Sequence, residues 1–213
     1  MSEVKENTAA ATEESTELSA EEINSYKKIR MDKLAELQAE GRDPFKITKY
    51  DVTSSCAKAR ADYEACEAEC KAKVGEDEEA LAAALEANRV NVSIAGRMMS
   101  KRRMGKAGFI DIHDKSGKIQ AYVRLDAVGK EAFDSYIKKG DIGDIVGIKG
   151  YVFRTKMGEI SVHAEEMTLL SKNLLPLPEK WHGLTNQDVR YRQRYTDLIC
   201  NPEVKDTLSS VRR

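Results

Sequence analysis

The stretch Gly96–Leu125, GRMMSKRRMGKAGFIDIHDKSGKIQAYVRL, decides the fold. It opens on a knot of base: Arg97, Lys101, Arg102, Arg103 and Lys106. Apolar and polar residues then alternate through Gly108-Phe109-Ile110-Asp111-Ile112-His113, the period of a half-buried strand. Asp114-Lys115-Ser116-Gly117 supplies turn residues, and Lys118-Ile119-Gln120-Ala121-Tyr122-Val123 alternates again. The unit reads as a hairpin with a cationic mouth, an aromatic on one strand and an amide on the next. Cations hold a phosphate backbone, a ring stacks on an unpaired base, and an amide reads a base edge. That combination points to single-stranded RNA.

The flanking sequence builds a barrel around this hairpin. Val90–Gly96 alternates and predicts a preceding strand. Residues 129–138 predict a short helix with Phe133 and Ile137 on one face. Asp144–Phe153 and Glu159–Val162 predict two further strands, joined by a turn at Lys156-Met157-Gly158. Gly96, Gly108, Gly147 and Gly150 stand where a small barrel must bend. Three strands, a helix and two strands is the order of the OB-fold, a five-stranded β-barrel whose strand 2–3 face binds oligonucleotides. A small Greek-key sandwich is the other fold compatible with that order.

Upstream, residues 1–18 are acidic and aperiodic and read as a disordered tail. Ser19-Ala20-Glu21-Glu22 fits a capping box, opening a helix to about Glu40 with Ile23, Tyr26, Leu34 and Leu37 on one side. Gly41 and Asp43-Pro44 stop it. Its basic residues, Lys27, Lys28, Arg30 and Lys33, read as a solvated face, with an RNA-facing helix as the alternative. Residues 54–88 are Ala-, Glu- and Lys-rich with a break at Val74-Gly75, which predicts an inserted helical hairpin. Cys56, Cys66 and Cys70 could in principle hold a metal as thiolates. Without a CxxC spacing or a histidine partner they read as small apolar residues of a helix interface, and no metal is expected.

The expected architecture is therefore α+β: tail 1–18, helix and connection 19–53, hairpin 54–88, OB-fold barrel 89–171, and a linker with C-terminal helices at 172–213. The 213 residues carry a net charge of −1, so nucleic-acid binding must rest on local charge rather than overall basicity. No apolar run approaches the roughly 18 residues a membrane helix needs. There is no basic-then-apolar leader, and four cysteines read as reduced thiols of a cytoplasmic protein.

After a Pro-containing linker at 171–185, residues 186–200 predict an Arg-rich helix holding Arg190, Arg192 and Arg194. Asn201-Pro202 opens another helix, with Pro202 in its first turn. The chain stops at Arg213 inside that helix and looks cut short.

Three stretches together resemble the N-terminal half of class II lysine–tRNA ligases. They are Arg30–Leu37 with Gly41–Phe45; Gly96–Val123 with Thr155–Val162; and His182-Gly183-Leu184 with Arg190–Ile199. The resemblance covers roughly Glu22 to Arg213 apart from 54–88. It implies an OB domain that binds the tRNA anticodon. Phe109 looks like the ring that stacks on the central uridine, and Gln120 like the amide that bonds it. Arg102 and Glu159 fall where further base-contacting groups lie. Taken alone, Phe109 reads as a core phenylalanine and Gln120 as a solvent-facing strand residue. Lys101, Arg103 and Lys106 are phosphate-contact candidates.

The resemblance also implies what this chain does not hold. ATP, Mg²⁺ and lysine belong on a catalytic domain of the full-length enzyme, expected to be a homodimer through the helix that begins at Pro202. No catalytic residue and no cofactor are expected here, and the polypeptide alone is expected to be inactive. The implied partner is tRNA(Lys), with neither membrane nor DNA. The competing readings are a free-standing OB-fold RNA-binding protein and a fragment of an aspartate– or asparagine–tRNA ligase.

Overall fold

The computed structural model describes residues 20–75, 77–178 and 187–212. The expected tail, Ser19 of the capping box and residues 179–186 lie outside them. The described residues fall into two compact units. One spans 25–176, and the other takes the described residues on either side of it.

The first unit is built on five strands: β1 (Asn91–Met104), β2 (Ala107–His113), β3 (Lys118–Arg124), β4 (Ile145–Arg154) and β5 (Ile160–Ser171). They close into a barrel in the order β1-β2-β3-β5-β4. All pairs are antiparallel except β3 with β5. This is the OB-fold. The alternation read from the sequence places Ile110, Ile112, Ile119, Val123, Ile148 and Val162 in the core, all essentially inaccessible. Each such side chain stabilises the barrel by roughly 1.5–3 kcal/mol.

Two strands run longer than the sequence pattern predicts. β1 continues through the basic knot to Met104, pairing Arg102 with Phe109 and Arg103 with Gly108. The cations are strand residues rather than a mouth; only Lys106 sits on the turn between β1 and β2. The register shifts between Met98 and Ser100, and that bulge interrupts the period of two. β5 extends past Val162 to Ser171. A second shift sets Lys149 against Glu166 but Gly150 against Ala164, so Glu165 is the extra residue and the alternation inverts beyond it. Gly150 is required at this point: a Cβ there would lie 1.9 Å from the carbonyl oxygen of His163. At Gly147 a Cβ would lie 2.4 Å from the Tyr50 ring.

The single helix expected at 129–138 is instead α4 (Leu125–Val128) and α5 (Lys130–Phe133), followed by a wide turn over Asp134–Lys138. Gly129, at φ +84°, separates the two helices. Phe133 and Ile137 are buried as the pattern requires, 2% and 1% exposed.

Helix α1 (Ala20–Ala39) ends as expected at Gly41, φ +75°, where the Arg42 N–H donates to Leu37 O at 2.9 Å. Its inward side is more polar than the pattern suggests. Arg30 donates to the carbonyls of Asn173 (3.2 Å) and Leu175 (2.9 Å), and Lys33 Nζ lies 2.7 Å from Asp141. Tyr26 is exposed. Lys33 thus joins a polar cluster around Asp144. That buried carboxylate accepts from Lys172 Nζ at 2.7 Å, the Asn173 N–H at 2.8 Å and the Asp141 N–H at 2.9 Å. Both carboxylate oxygens are hydrogen-bonded and the charge is paired, which is the condition for burying it.

The hairpin of α2 (Cys56–Val74) and α3 (Glu78–Ala87) forms as expected. The Ser55 hydroxyl caps α2 by accepting from the Lys58 N–H at 3.3 Å. Cys56, Ala59 and Tyr63 are buried in the same cluster as the barrel residues. Burial pushes the Cys56 thiol up to about 12. No disulfide joins any of the four cysteines, and no described group of three or more His, Cys, Asp or Glu is placed to hold a metal ion.

In the second unit the helix expected at 186–200 divides into α6 (Gln187–Arg192) and α7 (Arg194–Cys200) at Gln193, whose backbone (φ −115°, ψ 57°) is not helical. α8 (Pro202–Val211) follows, with proline in its first turn. Two of the expected arginines converge inward. Asp197, fully buried, accepts from Arg190 Nε at 2.9 Å, Arg194 Nη1 at 2.5 Å and Asn201 Nδ2 at 2.6 Å. Burial raises the Asp197 carboxyl, but the bonds from Asn201 and Arg190 outweigh it and hold the group below the usual carboxylate range. No described helix is long and apolar enough to cross a membrane.

Candidate nucleic-acid interface

Because side chains alternate faces along a strand, the register determines what shares the outside of the barrel. Arg102 on β1 lies opposite Phe109 on β2, which lies opposite Tyr122 on β3. Tyr122 pairs with His163 on β5, and His163 with Tyr151 on β4. One transverse row thus carries a guanidinium, three aromatic rings and an imidazole. Ring centroids are 4.9 Å apart for Phe109–Tyr122 and 5.7 Å for Tyr122–His163. Tyr151 and His163 stack at 4.9 Å and 11°, and the Arg89 guanidinium lies 4.3 Å from the Tyr151 centroid. Phe153 closes on Tyr122 and His163 at 6.0 Å each. These rings are half-buried: their edges pack on one another while part of each surface meets solvent. Such a surface offers π-faces to unstacked bases.

The next row supplies polar groups. Gln120 pairs with Asp111 on one side and Ser161 on the other. Ser161 Oγ lies 3.1 Å from Gln120 Oε1 and 3.5 Å from the backbone oxygen of Glu159. With Oε1 engaged, the Nε2 hydrogens of Gln120 are the end to offer a base carbonyl. Glu159 stands on the β4–β5 turn, where its N–H donates to Thr155 Oγ1 at 3.1 Å. Its carboxylate is half exposed, 3.5 Å from Arg60 Nη2.

The structure therefore brings Arg102, Phe109, Gln120 and Glu159 to one face. The side chains of Arg103 and Lys106 are exposed near it and form no hydrogen bond or ion pair with described residues. Lys101 is placed differently. It lies opposite buried Ile110, and its ammonium donates to Gly140 O at 2.6 Å. Burial holds it below the usual lysine range.

The sequence pattern left Tyr122, Tyr151, Phe153 and His163 without a role. The available signal was aromatics at outward positions, where a solvated barrel face calls for polar residues. His163 is kept toward its neutral form, chiefly by burial and then by Arg124, and its Nδ1 is buried without a partner among the described residues. A neutral imidazole suits a stacking row.

Residues 92–170 match the tRNA anticodon family described as OB-fold nucleic acid binding domain. The chain is 46% identical over 187 residues to the lysine–tRNA ligase of Clostridium tetani (strain Massachusetts / E88), covering 88% of this chain and 33% of that protein. The lysine–tRNA ligase of Clostridium botulinum (strain Hall / ATCC 3502 / NCTC 13319 / Type A) gives the same figures. That of Syntrophomonas wolfei subsp. wolfei (strain DSM 2245B / Goettingen) is 46% identical over 184 residues, covering 86% of this chain and 33% of its own. The chain spans about a third of the length of these relatives. With its barrel built as a tRNA anticodon-type OB-fold domain, the chain is a homologue of lysine–tRNA ligases.

Proposed function

We propose that the outer barrel face reads the anticodon of tRNA(Lys), as the recognition part of a ligase that charges that tRNA with lysine using ATP. The observation that carries this reading is the strand register that sets Arg102, Phe109 and Tyr122 side by side, with Gln120 in the adjoining row. Phe109 stacks on the central uridine, worth ~1–3 kcal/mol for one base. Gln120 donates to that base, and Arg102 and Glu159 contact its neighbours. Arg103 and Lys106 hold phosphates and fix the loop without reading it. Lys101, bonded to Gly140, secures the 140–144 segment instead.

In this reading the whole ligase is a cytoplasmic homodimer, and ATP with Mg²⁺ serves its charging step. No step of anticodon reading by this chain runs through them. The 213-residue polypeptide by itself should give only background lysine-dependent ATP–pyrophosphate exchange; clear turnover would place the activating residues within it.

Anticodon exchange tests the reading. Stem-loops with the lysine anticodon should bind more tightly than the same stem-loops carrying aspartate or asparagine anticodons. Equal affinity for all three would overturn it.

A further inference from the structure

Glu159 stands on a turn, half exposed, where a long carboxylate side chain has several rotamers open to it. A group that reads base edges needs one of them. The residue that holds it comes from the helical hairpin rather than from the barrel. Arg60 Nη2 lies 3.5 Å from Glu159 Oε1 and 3.3 Å from Lys118 O, at the start of β3. One guanidinium thus ties the β4–β5 turn to the strand that carries Gln120.

Arg60 is itself held in place. Its neighbours on α2, Ala59 and Tyr63, are 0% and 5% exposed. The start of α2 grips the β2–β3 turn: the Cys56 N–H donates to Asp114 Oδ2 at 2.7 Å and the Ala57 N–H to Ser116 Oγ at 3.0 Å. Further along, Glu67 receives Arg154 at 2.6 and 3.2 Å, and Arg154 donates to Gly158 O at 2.8 Å, next to Glu159. α2 therefore clamps both turns that flank the Gln120–Ser161 pair.

We propose that Arg60 is a positioning residue for Glu159, and that through it the hairpin sets base selectivity on the anticodon face. The proposal rests on the anticodon reading above. A carboxylate accepts from base N–H groups and rejects edges that present only acceptors. Aiming it sharpens that choice without adding a contact. The ion pair is exposed, so it contributes little to folding. Its effect lies in selectivity.

The test uses the 213-residue chain and lysine-anticodon stem-loops in which each anticodon base is replaced singly. Arg60→Ala and Arg60→Gln, which keeps part of the aliphatic stem, are compared with Glu159→Ala and the double variant Arg60→Ala/Glu159→Ala. Melting curves confirm that each is folded. The expected result is an about fivefold loss of preference at one anticodon position in both Arg60 variants, with the salt slope unchanged and no further loss in the double variant. Unchanged preference overturns the proposal. So does a uniform loss across all stem-loops with the salt slope reduced by about 1, which would make Arg60 a phosphate contact. Additive losses in the double variant would also overturn it. If the parent chain prefers no anticodon base at all, the anticodon reading itself falls; a discriminating parent with an unaltered Arg60→Ala removes only the role of Arg60.

Discussion

Lys101 and Arg102 are neighbours in the chain and lie on opposite faces of β1. Lys101 turns toward the segment that leads into the buried cluster of Asp141, Asp144, Lys172 and Lys33, and its ammonium is taken by Gly140 O. Arg102 turns outward beside Phe109 and meets solvent. On the first side every charge is answered by the protein, so the cluster holds α1 and the end of β5 to the barrel. On the second side Arg102 is exposed and the rings are half-buried. The contrast shows that a run of basic residues is not one electrostatic surface. The pleat sends Lys101 to a backbone partner and Arg102 to solvent, while Arg103, near the strand end, is exposed.

The division can be broken from either side. Asp144→Ala should have the largest effect, costing about 3–5 kcal/mol in denaturant unfolding because Lys172 loses a buried partner. Near-parental stability would show that the cluster holds nothing. On the outer face Gln120→Ala should lower the unfolding midpoint only slightly, because the Ser161 hydroxyl keeps the Glu159 carbonyl, and weaken stem-loop binding by about 1–2 kcal/mol. A falling midpoint with intact binding would move Gln120 to the structural side. A salt titration compares the cations directly. Arg103→Ala should lower the slope of log K against log salt by about 1, while Lys101→Ala should lose stability and keep the slope.

The smallest effect concerns His163. Burial and Arg124 hold its pKa below 6.5. As pH falls below 6.5 the unfolded chain takes up a proton that the barrel resists, so stability should fall with acidity across that window. Arg89 opposes the charged form and Glu165 favours it. His163→Phe should flatten that part of the profile in urea melts taken on either side of the window. An unchanged slope would mean that another group sets it.

The hairpin of β2 and β3 was legible because its alternation is unbroken from Gly108 to His113 and from Lys118 to Val123. What escaped were the extensions of β1 and β5, which run through bulges at Met98–Ser100 and around Glu165, where one extra residue inverts the pattern. The partners of Arg30, Lys33 and Lys101 lie far along the chain, so an exposed cation and a structural one look alike in sequence. The same holds for Arg190 and Arg194, which close on Asp197. At the site, only the outward placement of Phe109 and Gln120 was legible, through a resemblance that spans strands. The supporting rings were not, because Tyr151 and His163 become neighbours only when β4 and β5 pair.

The most direct measurement is the affinity of the parent and Phe109→Ala for the lysine-anticodon stem-loop across a salt series. The stacking account predicts a loss of ~1–3 kcal/mol at every salt concentration with parallel slopes. Parental affinity in Phe109→Ala would contradict it, and a loss that vanished with salt would show that charge, not stacking, binds the RNA.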